Sequence, residues 1–131
     1  MTHQASLRSI VTALLALAIP AMPALAKDKK PDNLVAAGDP VDCIYPRNIR
    51  STKVRDDQTI DFVMNGGKIY RNTLPYKCPG LGFEERFAYK LSTSQLCSVD
   101  TITVLQSFGG GLSQGATCGL GKFQPMEKAT K

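Results

Sequence analysis

The 131-residue sequence contains no tryptophan and a single histidine, His3. Because His3 lies in a segment that we expect to be removed, the mature chain has no imidazole. This argues against catalysis by a Ser-His-Asp or Cys-His arrangement. If the four cysteines are paired, as argued below, no free thiolate is left as a nucleophile. The sequence therefore predicts no catalytic residue of these kinds and favours a role other than that of an enzyme.

The sequence also lacks a hydrophobic run long enough to cross a membrane. Its apolar stretch 10–19 has ten residues, whereas a spanning helix needs about 20. A polar start with one positive charge precedes this stretch, two prolines follow it, and a small-x-small pattern at 24–26 ends the segment. This layout predicts a signal peptide over 1–26. We expect cleavage after Ala26, no lipid anchor, no membrane span after cleavage, and a periplasmic or secreted protein.

Close pairs of cysteines are absent as well. The intervals between the four cysteines are 35, 19 and 21 residues, whereas structural zinc sites place cysteines two to four residues apart. An even number of cysteines in a small exported domain instead predicts two disulfides. Sequence alone leaves three connectivities open. We favour the nested pairs Cys43–Cys118 and Cys78–Cys97, which would clip both ends of the domain.

No window shows a sustained helical period, and short alternating runs dominate instead. In 59–64, for example, Ile60, Phe62 and Met64 share one face, and the Asn65-Gly66-Gly67 sequence that follows is a strong hairpin signal. We predict an all-β fold, a small antiparallel barrel or sandwich stabilised by two disulfides. Because a flat sheet would not bury these side chains, the strands must pack on one another.

Composition divides the rest of the chain. Charged residues, proline and glycine make 27–40 a flexible leader, 41–123 is the single packed domain, and 124–131 is a polar tail. Within the domain we expect an exposed or edge strand at 49–55 and the longest strand at 95–106. Prolines and glycines make 74–85 irregular, with a short helical turn near 82–86. The glycines at 109–111 predict a flexible loop.

Several landmarks occur together: the four cysteines, the Asp56-Asp57-Gln58-Thr59 turn and Tyr70. In these landmarks the chain resembles a family of small exported bacterial proteins, some of them lipid-anchored, which is known only as a domain of unknown function. The likeness covers 43–123. It implies an exported, disulfide-bonded domain and brings no activity, cofactor or substrate. The chain differs from the lipid-anchored members because it lacks the cysteine that would carry the lipid.

Carboxylates are the remaining candidates for chemistry. Asp56, Asp57 and Asp61 lie close in sequence, and Glu84 and Glu85 form a second pair. Two carboxyl groups facing each other across a groove could hydrolyse a glycosidic bond, and aspartates could bind calcium. However, Asp is a typical turn residue, and the spacing does not fit a calcium loop. We predict no metal ligands and no cofactor.

A weak ligand surface is the other candidate. Basic residues are frequent between 47 and 55, a pattern more typical of a solvated strand edge that discourages aggregation. The residues that we consider for a ligand surface are Arg50, Asp56, Asp57 and Tyr70. Contact with an anionic cell-wall polymer would suit the arginine. Nucleic acid is not expected, because the protein is exported and its acidic residues are evenly spread.

Together these observations predict an exported small binding or interaction module of the bacterial envelope. Its partner would be another envelope protein or an anionic cell-wall polymer, bound through the basic strand or the glycine loop 109–111. A structural role in the envelope cannot be separated from this prediction by sequence. The alternative is a carboxylate-based hydrolase acting on cell-wall sugar.

Overall fold

The computed structural model describes residues 16–20 and 32–130. Residues 16–20 have no regular secondary structure, and Leu17 and Ile19 are exposed. The rest of the predicted signal peptide, 1–15 and 21–26, lies outside the described residues. In the described part of the chain, no helix is both long and apolar enough to cross a membrane.

Strands dominate the described chain. In chain order they are β1 Leu34–Ala36, β2 Cys43–Ile44, β3 Ile49–Asp56, β4 Thr59–Met64, β5 Ile69–Thr73, β6 Phe87–Tyr89, β7 Leu96–Cys97, β8 Thr101–Phe108, β9 Gly111–Gly119 and β10 Phe123–Lys128. A 3-10 turn spans Pro46–Asn48, and one short helix, α1, spans Leu81–Glu84. The predicted all-β class is confirmed.

Three antiparallel sheets form from these strands. The largest has the order β1-β10-β5-β4-β3, the second the order β6-β8-β9, and β2 pairs with β7 alone. In the described residues no sheet closes into a barrel, so a sandwich is the arrangement that agrees with the topology. The predicted edge strand is confirmed, because β3 is the outer strand of the largest sheet.

An aromatic cluster joins the two larger sheets. The ring of Phe62 on β4 meets that of Phe123 on β10 edge to face, with the centroids 5.5 Å apart, and that of Phe87 on β6 in the same way at 6.2 Å. Edge-to-face rings add to the stabilisation from burial. The buried hydrophobic residues around this cluster are Ile44, Ile60, Met64, Leu74, Cys78, Leu81, Leu96, Ile102, Val104 and Leu120.

The segments predicted as a loose leader and a polar tail each contain a strand, which is a correction. Strand β1 lies within 27–40, and β10 extends through 123–128 to pair with both β1 and β5. Backbone hydrogen bonds do not require apolar side chains, so polar composition did not reveal this pairing. Pro125 lacks a donor, but its carbonyl accepts a hydrogen bond from the amide of Ala37 at 2.9 Å.

Two predictions about the second half of the domain also need correction. The single strand expected at 95–106 is broken, because Asp100 forms a turn and accepts a hydrogen bond from the amide of Cys97 at 2.7 Å. The flexible loop expected at 109–111 is a tight hairpin turn, in which Gly109 and Gly110 have φ of 56° and 86° and Phe108 pairs with Gly111. Positive φ at both central residues is the requirement of a type I′ turn.

Two disulfides form, as predicted, but the nested pairing is wrong. The bonds join Cys43 to Cys97 and Cys78 to Cys118, and no cysteine is free. Cys43 and Cys97 are direct cross-strand partners on β2 and β7. The choice of partner follows from which strands pair, and the spacing of cysteines along the chain does not contain that information.

Candidate functional site

A cluster of ion pairs is centred on Asp61, on the face of β4 opposite Phe62. Its carboxylate accepts hydrogen bonds from Arg55 Nε on β3 at 2.7 Å and from Arg71 Nε on β5 at 2.7 Å. Arg71 also donates from Nη2 to Asp32 at 2.6 Å. Although it is charged, the Asp61 side chain is only 1% exposed. Two acids and two bases therefore neutralise one another on this face of the sheet.

The cluster shifts the pKa of two of its members. Hydrogen bonds from its guanidinium to Asp61 and then to Asp32 raise the pKa of Arg71, against an opposing effect of burial. The hydrogen bond from Arg71 lowers the pKa of Asp32, and burial partly opposes it. Both shifts favour the charged forms. The arrangement suits a structural clamp between β3, β4 and β5, because each charge has its partner within the fold.

The other predicted carboxylates have contacts that shape the turn and α1. Asp56 Oδ1 accepts the amide hydrogen of Gln58 at 2.8 Å, which confirms the predicted turn. Asp57 Oδ1 accepts from the amide of Gly82 at 2.8 Å. Glu84 Oε2 accepts from the amide of Ser107 at 3.4 Å. Within the described residues, no group of three or more His, Cys, Asp or Glu side chains is arranged to hold a metal ion.

The four residues considered for a ligand surface do not lie together. Arg50 is exposed near the start of β3, whereas Asp56 and Asp57 lie at its far end. Six residues of extended chain separate Arg50 from Asp56, which corresponds to about 20 Å. Tyr70 is half-buried on β5, two strands away from Arg50, with Lys68 Nζ 5.0 Å from its ring centroid. Their role as ligand contacts stays a prediction.

The structure instead exposes apolar side chains at the tip of the β8–β9 hairpin. Phe108 and Leu112, which flank the glycine turn, are 76% and 60% exposed. Phe83 on α1 is 80% exposed, and the neighbouring Glu84 is the residue that contacts the hairpin at Ser107. We call Phe83, Phe108 and Leu112 the tip residues. The sequence patterns did not identify Phe83 or Leu112, although the position of Leu112 directly after three glycines was a visible signal.

Several contacts hold the hairpin that carries the tip. Cys118 on β9 is bonded to Cys78, and the hydroxyl oxygens of Thr103 and Thr117 lie 2.9 Å apart across the two strands. Nearer the tip, Arg86 Nη1 donates to Ser107 Oγ at 2.8 Å. A register shift opposite 103–105 marks a bulge in the ladder. The hairpin therefore presents Phe108 and Leu112 on an anchored support.

Comparisons with known proteins identify no relative of this chain. No family model matches the sequence, and no curated protein and no solved structure matches it either.

Proposed function

We propose that the protein is an exported binding module that attaches to another envelope protein through the tip of the β8–β9 hairpin. The observation that carries this proposal is the exposure of Phe108 beside a tight turn on a disulfide-anchored hairpin. The register of the hairpin places Phe108 and Leu112 on opposite faces, so a partner that encloses the tip would cover both side chains. Aromatic residues in particular dominate binding energy when a partner covers them.

Support for export comes from the disulfides and from the start of the chain. Two disulfides in a small domain are typical of an oxidising compartment, such as the periplasm or the outside of the cell. Leu17 and Ile19 are exposed and take no part in the core. Apolar residues outside the core suit a segment with a targeting role, which is the signal peptide 1–26 of the proposal.

The chemistry of the tip favours a protein partner over an anionic polymer. No Asp, Glu, Lys or Arg occurs between residues 101 and 121. A polyanion would be held by positive charge, which lies instead on β3 at Arg50 and Lys53. An uncharged tip with exposed apolar side chains matches an apolar patch on another protein.

Photocrosslinking tests the proposal in living cells. A photoreactive aromatic amino acid in place of Phe108 of the full-length chain should give one discrete crosslinked protein, which mass spectrometry identifies. The purified pair is then studied by calorimetry. Phe108→Ser should weaken binding by about 30-fold or more, the effect of losing a central aromatic contact. Val99→Ser is the matched control, because Val99 is 84% exposed in the turn at the opposite end of β8.

The outcomes separate the binding surfaces. Equal affinity of the Phe108→Ser and Val99→Ser variants would contradict a role of the tip. If Arg50→Glu abolished binding while Phe108→Ser had no effect, the basic strand would be the surface and the partner would be anionic. The hydrolase alternative gains no specific support, because Asp56, Asp57, Asp61 and Glu84 all have partners within the fold.

A further inference from the structure

The edges of the sheets differ in how they are protected against further pairing. Strand β3, the long edge of the largest sheet, contains Arg50, Lys53 and Arg55, whereas β1 and β6 are edges of only three residues. Strand β9 is an edge of nine residues without charge or proline. Charges, prolines and short lengths are the usual protection of an edge. In the described chain, β9 is the long edge that has neither charged residues nor proline.

The direction of the backbone groups on β9 follows from the ladder. Leu105 donates its amide hydrogen to Arg86 beside β6, so its backbone groups face away from β9. Backbone groups alternate in direction along an antiparallel strand, so those of Ser107, two residues further on, also face away from β9. The residues opposite Leu105 and Ser107 on β9 are Gln114 and Leu112. Each of these is a non-hydrogen-bonded pair, in which the backbone groups of both residues face away from each other. These two residues therefore direct their N–H and C=O groups outward, on either side of Ser113.

The distribution of charge indicates which molecule can pair with the β9 edge. The chain carries a formal charge of +5, so two copies repel each other at most orientations. The 21 residues from 101 to 121 form an uncharged hairpin, on which two copies can meet without placing like charges opposite each other. When β9 pairs antiparallel with β9 of a second copy, a two-fold axis relates the two copies. Both β9 edges are then paired, so no third copy can add to them.

We infer that β9 pairs antiparallel with β9 of a second copy, about a two-fold axis through Ser113. Leu112 of each copy then lies opposite Gln114 of the partner subunit, and the outward groups of these residues form four backbone hydrogen bonds. The two three-stranded sheets become one sheet of six strands. The axis lies in the regular part of β9 before the bulge, so the pairing is short and the dimer forms in a concentration-dependent way.

Sedimentation equilibrium of the oxidised, exported protein tests this inference. The average mass should rise from that of one chain towards that of two as the concentration increases. Gln114→Pro removes an outward amide hydrogen that has no ladder partner within the chain, so folding persists. The loss of one hydrogen bond from each copy should weaken association on the order of tenfold or more. Gln114→Ala keeps the amide hydrogen and should dimerise like the unaltered protein.

A second pair of variants protects the test against misfolding. Ser113→Lys places two like charges opposite each other at the axis and should also yield monomers, whereas Ser51→Lys on the β3 edge should leave the dimer intact. Circular dichroism checks the fold of each variant. A monomer at every concentration, or a dimer unaffected by Gln114→Pro and Ser113→Lys, would overturn the inference. The result is independent of the proposed function, because Phe108→Ser leaves the backbone groups of β9 unchanged.

Discussion

Asn72 and Gly121 exchange two hydrogen bonds across 49 residues of sequence. Asn72 Nδ2 donates to the carbonyl of Gly121 at 2.7 Å, and the amide of Gly121 donates to Asn72 Oδ1 at 2.8 Å. Asn72 is fully buried on β5, opposite Phe123 at the start of β10. A buried side-chain amide here replaces the partners that a regular strand would supply. The contact fixes the approach of β10 to the centre of the largest sheet.

Replacing Asn72 by alanine should lower the free energy of unfolding by about 3 kcal/mol, because two backbone groups of the half-buried Gly121 lose their partners. Urea denaturation with equal slopes for both proteins measures this loss. Gln124→Ala is the matched control, since its amide binds Gly38 and Pro125 near the surface and should cost less than about 1 kcal/mol. Equal losses for the two variants would contradict the role of Asn72.

Gly121→Ala should also destabilise the domain, because a Cβ at this position would overlap the backbone carbonyl of Thr73. Since a backbone atom cannot swing aside as a side chain can, we expect a loss of about 2 kcal/mol or more. In Gly119→Ala, the new methyl group would meet no atom within 4 Å. Thermal unfolding should therefore show a clear decrease in Tm for the first variant alone. A decrease of similar size in both would count against the steric explanation.

Peptide mapping without reduction should yield crosslinked fragments that join Cys43 to Cys97 and Cys78 to Cys118. Closed loops of 54 and 40 residues correspond to about 4 kcal/mol of stabilisation each, mainly through the unfolded chain. Replacing both cysteines of either pair by alanine should therefore reduce stability strongly, as measured by urea denaturation. Fragments joining Cys43 to Cys118 would contradict this pairing.

Asp61→Asn should cost about 2 kcal/mol, because it removes the negative charge between Arg55 and Arg71 while keeping the size of the side chain. Loss of one partner from a buried ion pair costs about 3–5 kcal/mol, and the partial exposure of both arginines reduces that figure. Asp32→Asn removes a more exposed partner of Arg71 and should cost no more than about 1 kcal/mol. The reverse order in chemical denaturation would contradict the central position of Asp61.

The contribution of Asp32 should depend on pH. Since the folded state lowers the pKa of Asp32, the folded state holds its carboxylate charged at pH values where the unfolded chain begins to bind a proton. The stabilisation is complete above the unfolded pKa of about 3.9 and disappears as the pH falls through the lower folded value. Urea denaturation of the unaltered protein and Asp32→Asn should therefore differ at pH 7, and this difference should shrink as the pH falls below the unfolded pKa. A difference that stays constant over the whole acidic range would exclude a charge effect.

Local patterns predicted much of the strand structure. The alternation in 59–64 became β4, with Ile60 and Phe62 buried on one face, and the Asn65-Gly66-Gly67 sequence became the turn to β5. The short helical turn appears as α1, slightly earlier than expected. These features depend on side-chain period and on the freedom of glycine at positive φ, which neighbouring residues determine.

Other features depend on contacts between distant residues, and short patterns did not predict them. Strands β1 and β10 exist because each completes the hydrogen bonds of a neighbouring strand, although their own composition is polar or broken by proline. The same holds for Asp61, which was a candidate carboxylate for chemistry in sequence and lies between two arginines in the structure. The pairing of β3 and β5 with β4 brings the two arginines to its carboxylate.

By itself, the sequence determined the all-β class, the presence of two disulfides and the positions of the main turns, because these depend on composition and on local period. Only the tertiary structure decided which cysteines pair, where the ion pairs form and which apolar residues stay exposed at the hairpin tip. Pairing of strands brings together residues that are tens of positions apart, and the free energy of these contacts depends on their geometry in space.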